Sequence, residues 1–122
     1  MIFVKDLKEI PILENVRETS CCRVIIDPFE VHLVFDNATE IIATDKIYQD
    51  GKEVVNFDID HGYKDTRFIS LIVDRKVTNI AIDEFNLQLF FLNTVIRITA
   101  GLPLFEGLQV RHPGTGAFVF KK

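Results

Sequence analysis

Apolar and polar positions alternate most cleanly over residues 29–35. Phe29, Val31, Leu33 and Phe35 interleave with Glu30, His32 and Val34. A period of two is the signature of a strand with one buried face. The turn "DNAT" follows, built from residues that tolerate left-handed backbone, and "EIIATD" returns as the second arm of a hairpin. The same pattern recurs at "FNLQLFFLN", residues 85–93, followed by a tighter turn at Asn93 and "VIRIT". At an offset of 56, six of the twelve positions 26–37 are identical to 82–93: Ile26/Ile82, Asp27/Asp83, Phe29/Phe85, Leu33/Leu89, Phe35/Phe91 and Asn37/Asn93. "GKEV" (51–54) meets "GLQV" (107–110) after one compensated extra residue in the first turn. A match that resumes in phase after an insertion reads as an internal duplication, covering residues 14–58 and 70–120.

Each hairpin is preceded by a further strand, "CCRVIID" or "VTNIAID", so each copy is a three-strand meander with a fourth short strand after its glycine. One meander cannot bury its own apolar face, but two can, by packing face to face or joining into a curved sheet. The expectation is a single mainly β domain over residues 1–122, a sandwich or curved half-barrel. One short helix is predicted near 66–74, with Asp65 or Thr66 as N-cap and Phe68, Leu71 and Ile72 on one side. Residues 46–65 carry turn signals at Asp50-Gly51 and His61-Gly62 and read as the link between copies. Phe90 and Leu92 make the second hairpin strand apolar on its outer side as well, which predicts a covering element or a homodimer mate.

A length of 122 residues fits one core, and eleven Phe with no Trp predict a core of Phe with aliphatic residues. The net charge of −4 argues against a nucleic-acid binder, which needs a basic footprint. That charge is unevenly spread. Residues 27–65 hold ten acids and three bases, whereas residues 66–122 hold four acids and seven bases. An acidic half can steer and hold a basic partner, and it can equally serve as a solvated face. No stretch has the roughly 18–20 consecutive apolar residues of a membrane span. Cys21 and Cys22 are neighbours that a strand points to opposite faces, so they are expected to be free thiols. With no export signal before Lys5 and Asp6, the expectation is a reducing cytoplasm.

The search for chemistry returns little. Ser20 and Ser70 are the only serines, and Cys21 or Cys22 with His32 is the sole nucleophile–base pairing near in sequence. "DIDHG" (58–62) misplaces the glycine of a calcium loop and has one histidine for zinc, so no metal is predicted. "HPGTG" (112–116) lacks the lysine and helix of a phosphate cradle. The expectation is a protein without catalytic residues or cofactor that binds rather than catalyses.

The order of these elements, closing in "PLFEGLQVRHPG", resembles a family of small bacterial proteins of unassigned biochemical function. In that family a duplicated β unit ends in a Tyr-Glu-Ala-Trp-like motif followed by Gly-Pro. The matching residues here are Phe105, Glu106, Gly107 and Leu108, then His112, Pro113 and Gly114. Phe stands for Tyr and Leu for Trp, and the resemblance spans roughly residues 14–120. It implies a cytoplasmic immunity protein of a polymorphic or contact-dependent toxin system, one that occludes a basic toxin domain such as a nuclease. An acidic surface would mimic the charge of the toxin's substrate. The candidate contact residues are Glu40, Asp45, Asp50, Glu53, Asp58 and Asp60. The alternatives are a small-ligand-binding β domain, with Phe-lined space between the meanders, and a homo-oligomerisation module using Phe90 and Leu92.

Overall fold

The computed structural model describes residues 1–57, 62–100, 107–114 and 116–120. It is mainly β, with strands β1 (Ile2–Val4), β2 (Ser20–Ile26), β3 (Val31–Phe35), β4 (Glu40–Ala43), β5 (Lys46–Gln49), β6 (Lys52–Asn56) and β7 (Tyr63–Lys64). After the helix α1 (Ile69–Ile72) come β8 (Arg75–Lys76), β9 (Asn79–Ile82), β10 (Asn86–Phe90), β11 (Val95–Thr99), β12 (Leu108–His112) and β13 (Gly116–Phe120). They form two sheets, ordered β1-β13-β12-β4-β3-β2-β8 and β7-β6-β5-β11-β10-β9. The inner faces share one core that includes Leu33, Phe35, Ile47, Leu87, Ile98 and Phe120. The architecture is a sandwich, the first of the two arrangements expected of paired meanders.

The repeat is visible in the register. Ile26 pairs with Val31 as Ile82 pairs with Leu87, and Val24 with Leu33 as Ile80 with Leu89. Asp27 and Asp83 explain why both turns have the same form. One oxygen of Asp27 accepts the backbone N–H of Phe29 at 3.0 Å and of Glu30 at 2.8 Å. The same oxygen of Asp83 accepts those of Phe85 at 2.9 Å and Asn86 at 2.7 Å. Burial disfavours the charge of Asp83, but these bonds from Phe85 and Asn86 outweigh it and hold the carboxyl below its ordinary value.

The downstream halves of the repeat depart from the expected plan. Residues 46–56 are no linker; β5 and β6 form a hairpin about Asp50-Gly51, whose φ angles are 49° and 83°. That hairpin joins the opposite sheet, where β5 pairs with β11, while β12 of the second copy pairs with β4. Each meander thus donates its final hairpin to the other. One inward row runs Ile26–Val31–Ala43–Leu108–Phe120, and its equivalent runs Ile82–Leu87–Ile98–Ile47–Val55. Leu108 therefore answers to Ile47 and not to Lys52. The "GKEV"/"GLQV" match does not join equivalent elements: Gly51 sits within the β5–β6 turn and Gly107 just before β12.

The predicted helix is a single 3-10 turn, Thr66–Phe68, continued by α1. Asp65 is its N-cap, accepting from the Arg67 N–H at 3.2 Å, and Phe68 and Ile72 are its buried residues. Two further 3-10 turns, Leu7–Glu9 and Pro11–Val16, bury Leu7, Ile10, Leu13 and Val16. The Leu7 N–H donates to the Glu84 carbonyl at 3.0 Å and the Glu18 N–H to the Val77 carbonyl at 2.8 Å. This segment therefore runs past the outer edge of β9, which would otherwise be open to strand pairing.

Candidate functional site

On the outer face of the first sheet, one row of residues crosses six strands: Ile25, His32, Ile42, Gln109, Val119 and Phe3. Ile42 and Val119 are buried although they point away from the core, whereas Phe3 is 56% exposed. His32 stands second in this row, between Ile25 and Ile42, with three carboxylates around it. Its Nδ1 hydrogen-bonds Glu40, its Nε2 lies 2.8 Å from Glu30, and the Asp27 carboxylate is 3.7 Å from the same nitrogen. Burial of the ring would lower its pKa, but the bonds to Glu40 and Glu30 outweigh that and raise it, favouring imidazolium. Three carboxylates against one imidazolium leave the patch negative.

Asp27, Glu30 and His32 also offer ligand atoms within 4.8 Å of one another, a spacing at which three donors can share a divalent cation. The second copy lacks this cluster. Asn86 and Gln88 occupy the positions of Glu30 and His32, and Val95 that of Glu40, yet the hairpin forms in the same register. The fold does not require the charges of Glu30, His32 and Glu40.

The six acids singled out from sequence do not form one surface. Glu40 belongs to the His32 cluster. Asp45 is buried, and its carboxylate accepts the Thr99 hydroxyl at 3.0 Å, so it offers no surface charge. Asp50 accepts the Thr94 hydroxyl at 2.8 Å and the Val95 N–H at 2.9 Å, clasping its turn to the neighbouring hairpin. Glu53 lies on the second sheet, where it accepts from the Asn56 amide at 3.0 Å. Asp58 and Asp60 lie outside the described residues, as do Phe105 and Glu106 of the family-like motif. Asp27 and Glu30 were not singled out, and His32 was weighed only as a base for Cys21 or Cys22. Glu30, just before β3, and His32 within it sit two apart, and the hairpin register carries Glu40 across to them; counting acids along the chain misses both relations.

The reactive groups are equally settled in place. Cys21 is buried and its thiol pushed up to about 12 by that burial, which makes it inert as a nucleophile at neutral pH. Cys22 is exposed on the other face, with its Sγ 3.4 Å from the Val34 carbonyl. Phe90 is half-buried on the outer face of the second sheet, whereas Leu92, just past the strand, is 86% exposed beside Leu71. Among the described residues no helix is long and apolar enough to cross a membrane. Comparison with known proteins finds no matching family model, no matching curated protein and no matching solved structure.

Proposed function

We propose that the protein is a non-enzymatic cytoplasmic binding protein of the immunity type, which neutralises a toxin by covering a basic active-site or substrate surface. The observation that carries this reading is the convergence of Asp27, Glu30 and Glu40 on His32, on a sheet face that also presents apolar surface at Phe3. A fold that makes the same hairpin with Asn86 and Val95 at the places of Glu30 and Glu40 has no structural need of those two charges in its first copy. Charges of one sign on a face that also carries apolar area are what a basic partner's surface complements, the charge steering encounter and the apolar contact slowing dissociation.

The test is capture of the partner by the tagged protein from its source cells, followed by inhibition of that partner. A basic protein bound in equimolar amount, whose toxicity on expression is relieved by co-expression of this chain, is the expected result. Glu30→Lys with Glu40→Lys should slow association and weaken binding at least about tenfold at low salt. A partner bound with unchanged affinity by that double variant would sink electrostatic occlusion through this face, and a captured partner whose activity is untouched would sink the immunity reading.

A further inference from the structure

The two ends of the sandwich are built from equivalent residues and are not closed alike. In the second copy Phe85 is half-buried, and its ring meets that of Phe120 edge to face, with centroids 6.0 Å apart. Phe29 is its counterpart in the first copy, and the strand registers place Val55 where Phe120 stands. Val55 has no ring to offer, and Phe29 is 80% exposed, against the buried position that its alternation with Val31 and Leu33 predicts. Leaving a Phe ring in water forgoes about 1.5–3 kcal/mol of burial.

Beside Phe29 is a solvent-open cleft of about 510 Å³ whose walls include Ile26, Asp27, Pro28, Phe29, Phe57 and Lys64. Small-molecule sites typically span roughly 300–1,000 Å³, mostly apolar with a few polar groups that fix orientation. Here the two phenylalanines, Ile26 and Pro28 supply apolar wall, and Asp27 and Lys64 supply one charge of each sign. The Lys64 ammonium lies 5.5 Å from the centroid of the Phe57 ring and makes no ion pair among the described residues.

We propose that this cleft binds a small aromatic zwitterion, an aromatic α-amino acid being the simplest member of the class. Its ring packs against Phe29 and Phe57, giving Phe29 the aromatic neighbour that Phe120 gives Phe85. Its carboxylate meets Lys64 and its ammonium meets Asp27. The site is separate from the outer-face contact proposed above, although Asp27 borders both, and neither reading rests on the other.

The experiment is a titration of the intact chain, labelled for amide NMR, with L-phenylalanine, L-tyrosine and L-tryptophan, with phenylacetate and phenethylamine as singly charged comparisons. Saturable shifts centred on residues 26–29, 57 and 62–64 are expected with at least one amino acid. The singly charged compounds should bind at least about tenfold more weakly. Phe29→Ala and Lys64→Met, both outside the buried core, should each weaken binding by a similar factor while leaving the remaining spectrum unchanged. Absence of saturable shifts at millimolar ligand overturns the proposal. So does binding that survives both substitutions, or a singly charged compound that binds as tightly as the amino acid.

Discussion

Asp27 and Asp83, 56 residues apart, each accept two backbone N–H groups from the turn that follows them. Their identity in the repeat is therefore a demand of turn geometry, not of a shared site. For Asp83 the consequence can be measured. Its folded pKa lies below the unfolded value, so it contributes stability that is fully present above about pH 4 and lost as pH falls through the folded value. Asp83→Asn should cost about 1 kcal/mol at neutral pH, below the usual range for charged acceptors because solvent reaches the turn. The gap between variant and parent should close toward pH 2. Urea unfolding at a series of acid pH values reads both, and a gap that stays constant with pH would remove the carboxylate from the account.

His32 has the opposite sign. Its folded pKa is raised, so its contribution is complete below the unfolded value of about 6.5 and disappears as pH rises through the folded one. His32→Gln installs the residue that the second copy carries at Gln88, so the hairpin should tolerate it. The parent should lose stability relative to the variant between slightly acid and alkaline pH. NMR titration of the imidazole should place its midpoint above that of a free histidine, and a midpoint at or below it would contradict the carboxylate cage.

Gly107 and Gly51, which align in sequence, differ in what a side chain would meet. A Cβ on Gly107 would lie 2.5 Å from the Ala100 carbonyl oxygen, and its next neighbours are also Ala100 backbone atoms, so no side chain can swing aside. Gly51 has open space around it but a φ of +83°. Gly51→Ala should cost about 1 kcal/mol through that backbone conformation alone. Gly107→Ala should cost about 3 kcal/mol or more, because the Ala100 backbone must move. Thermal unfolding of the two variants ranks them directly.

The parts of the fold that could be read from the chain are those in which alternation and offset agree. The β2–β3 and β9–β10 pairs repeat in residue identity and in register. The exchange of hairpins could not be read in this way. In β5 and β6 a register shift between Ile47 and Tyr48, and the burial of both Val54 and Val55, break the alternation. The strands they resemble, β12 and β13, no longer stand at the offset of 56. Candidate contacts suffered for a related reason. Asp45 and Asp50 look like surface charge in a string of letters, and only the neighbouring hairpin, with Thr94, Val95 and Thr99, shows that their carboxylates are holding structure.

Phe120 provides the sharpest energetic contrast between the two ends. Replacing it with Val reproduces the first copy's Val55, removes ring volume from a fully buried site and deprives Phe85 of its edge-to-face partner. The loss should be about 1–3 kcal/mol, less than a Phe→Ala truncation because Val fills part of the space. Phe85→Ala should also destabilise, and the double variant should fall short of the sum by about 0.5–1.5 kcal/mol, the coupling of one aromatic pair. Phe29→Ala, at the equivalent position of the first copy, should change stability by no more than about 0.5 kcal/mol, because that ring is already in water. Chemical denaturation of these four variants separates a ring that holds the fold from one that the fold leaves available. A destabilisation by Phe29→Ala as large as that by Phe85→Ala would mean that the first end is closed as tightly as the second.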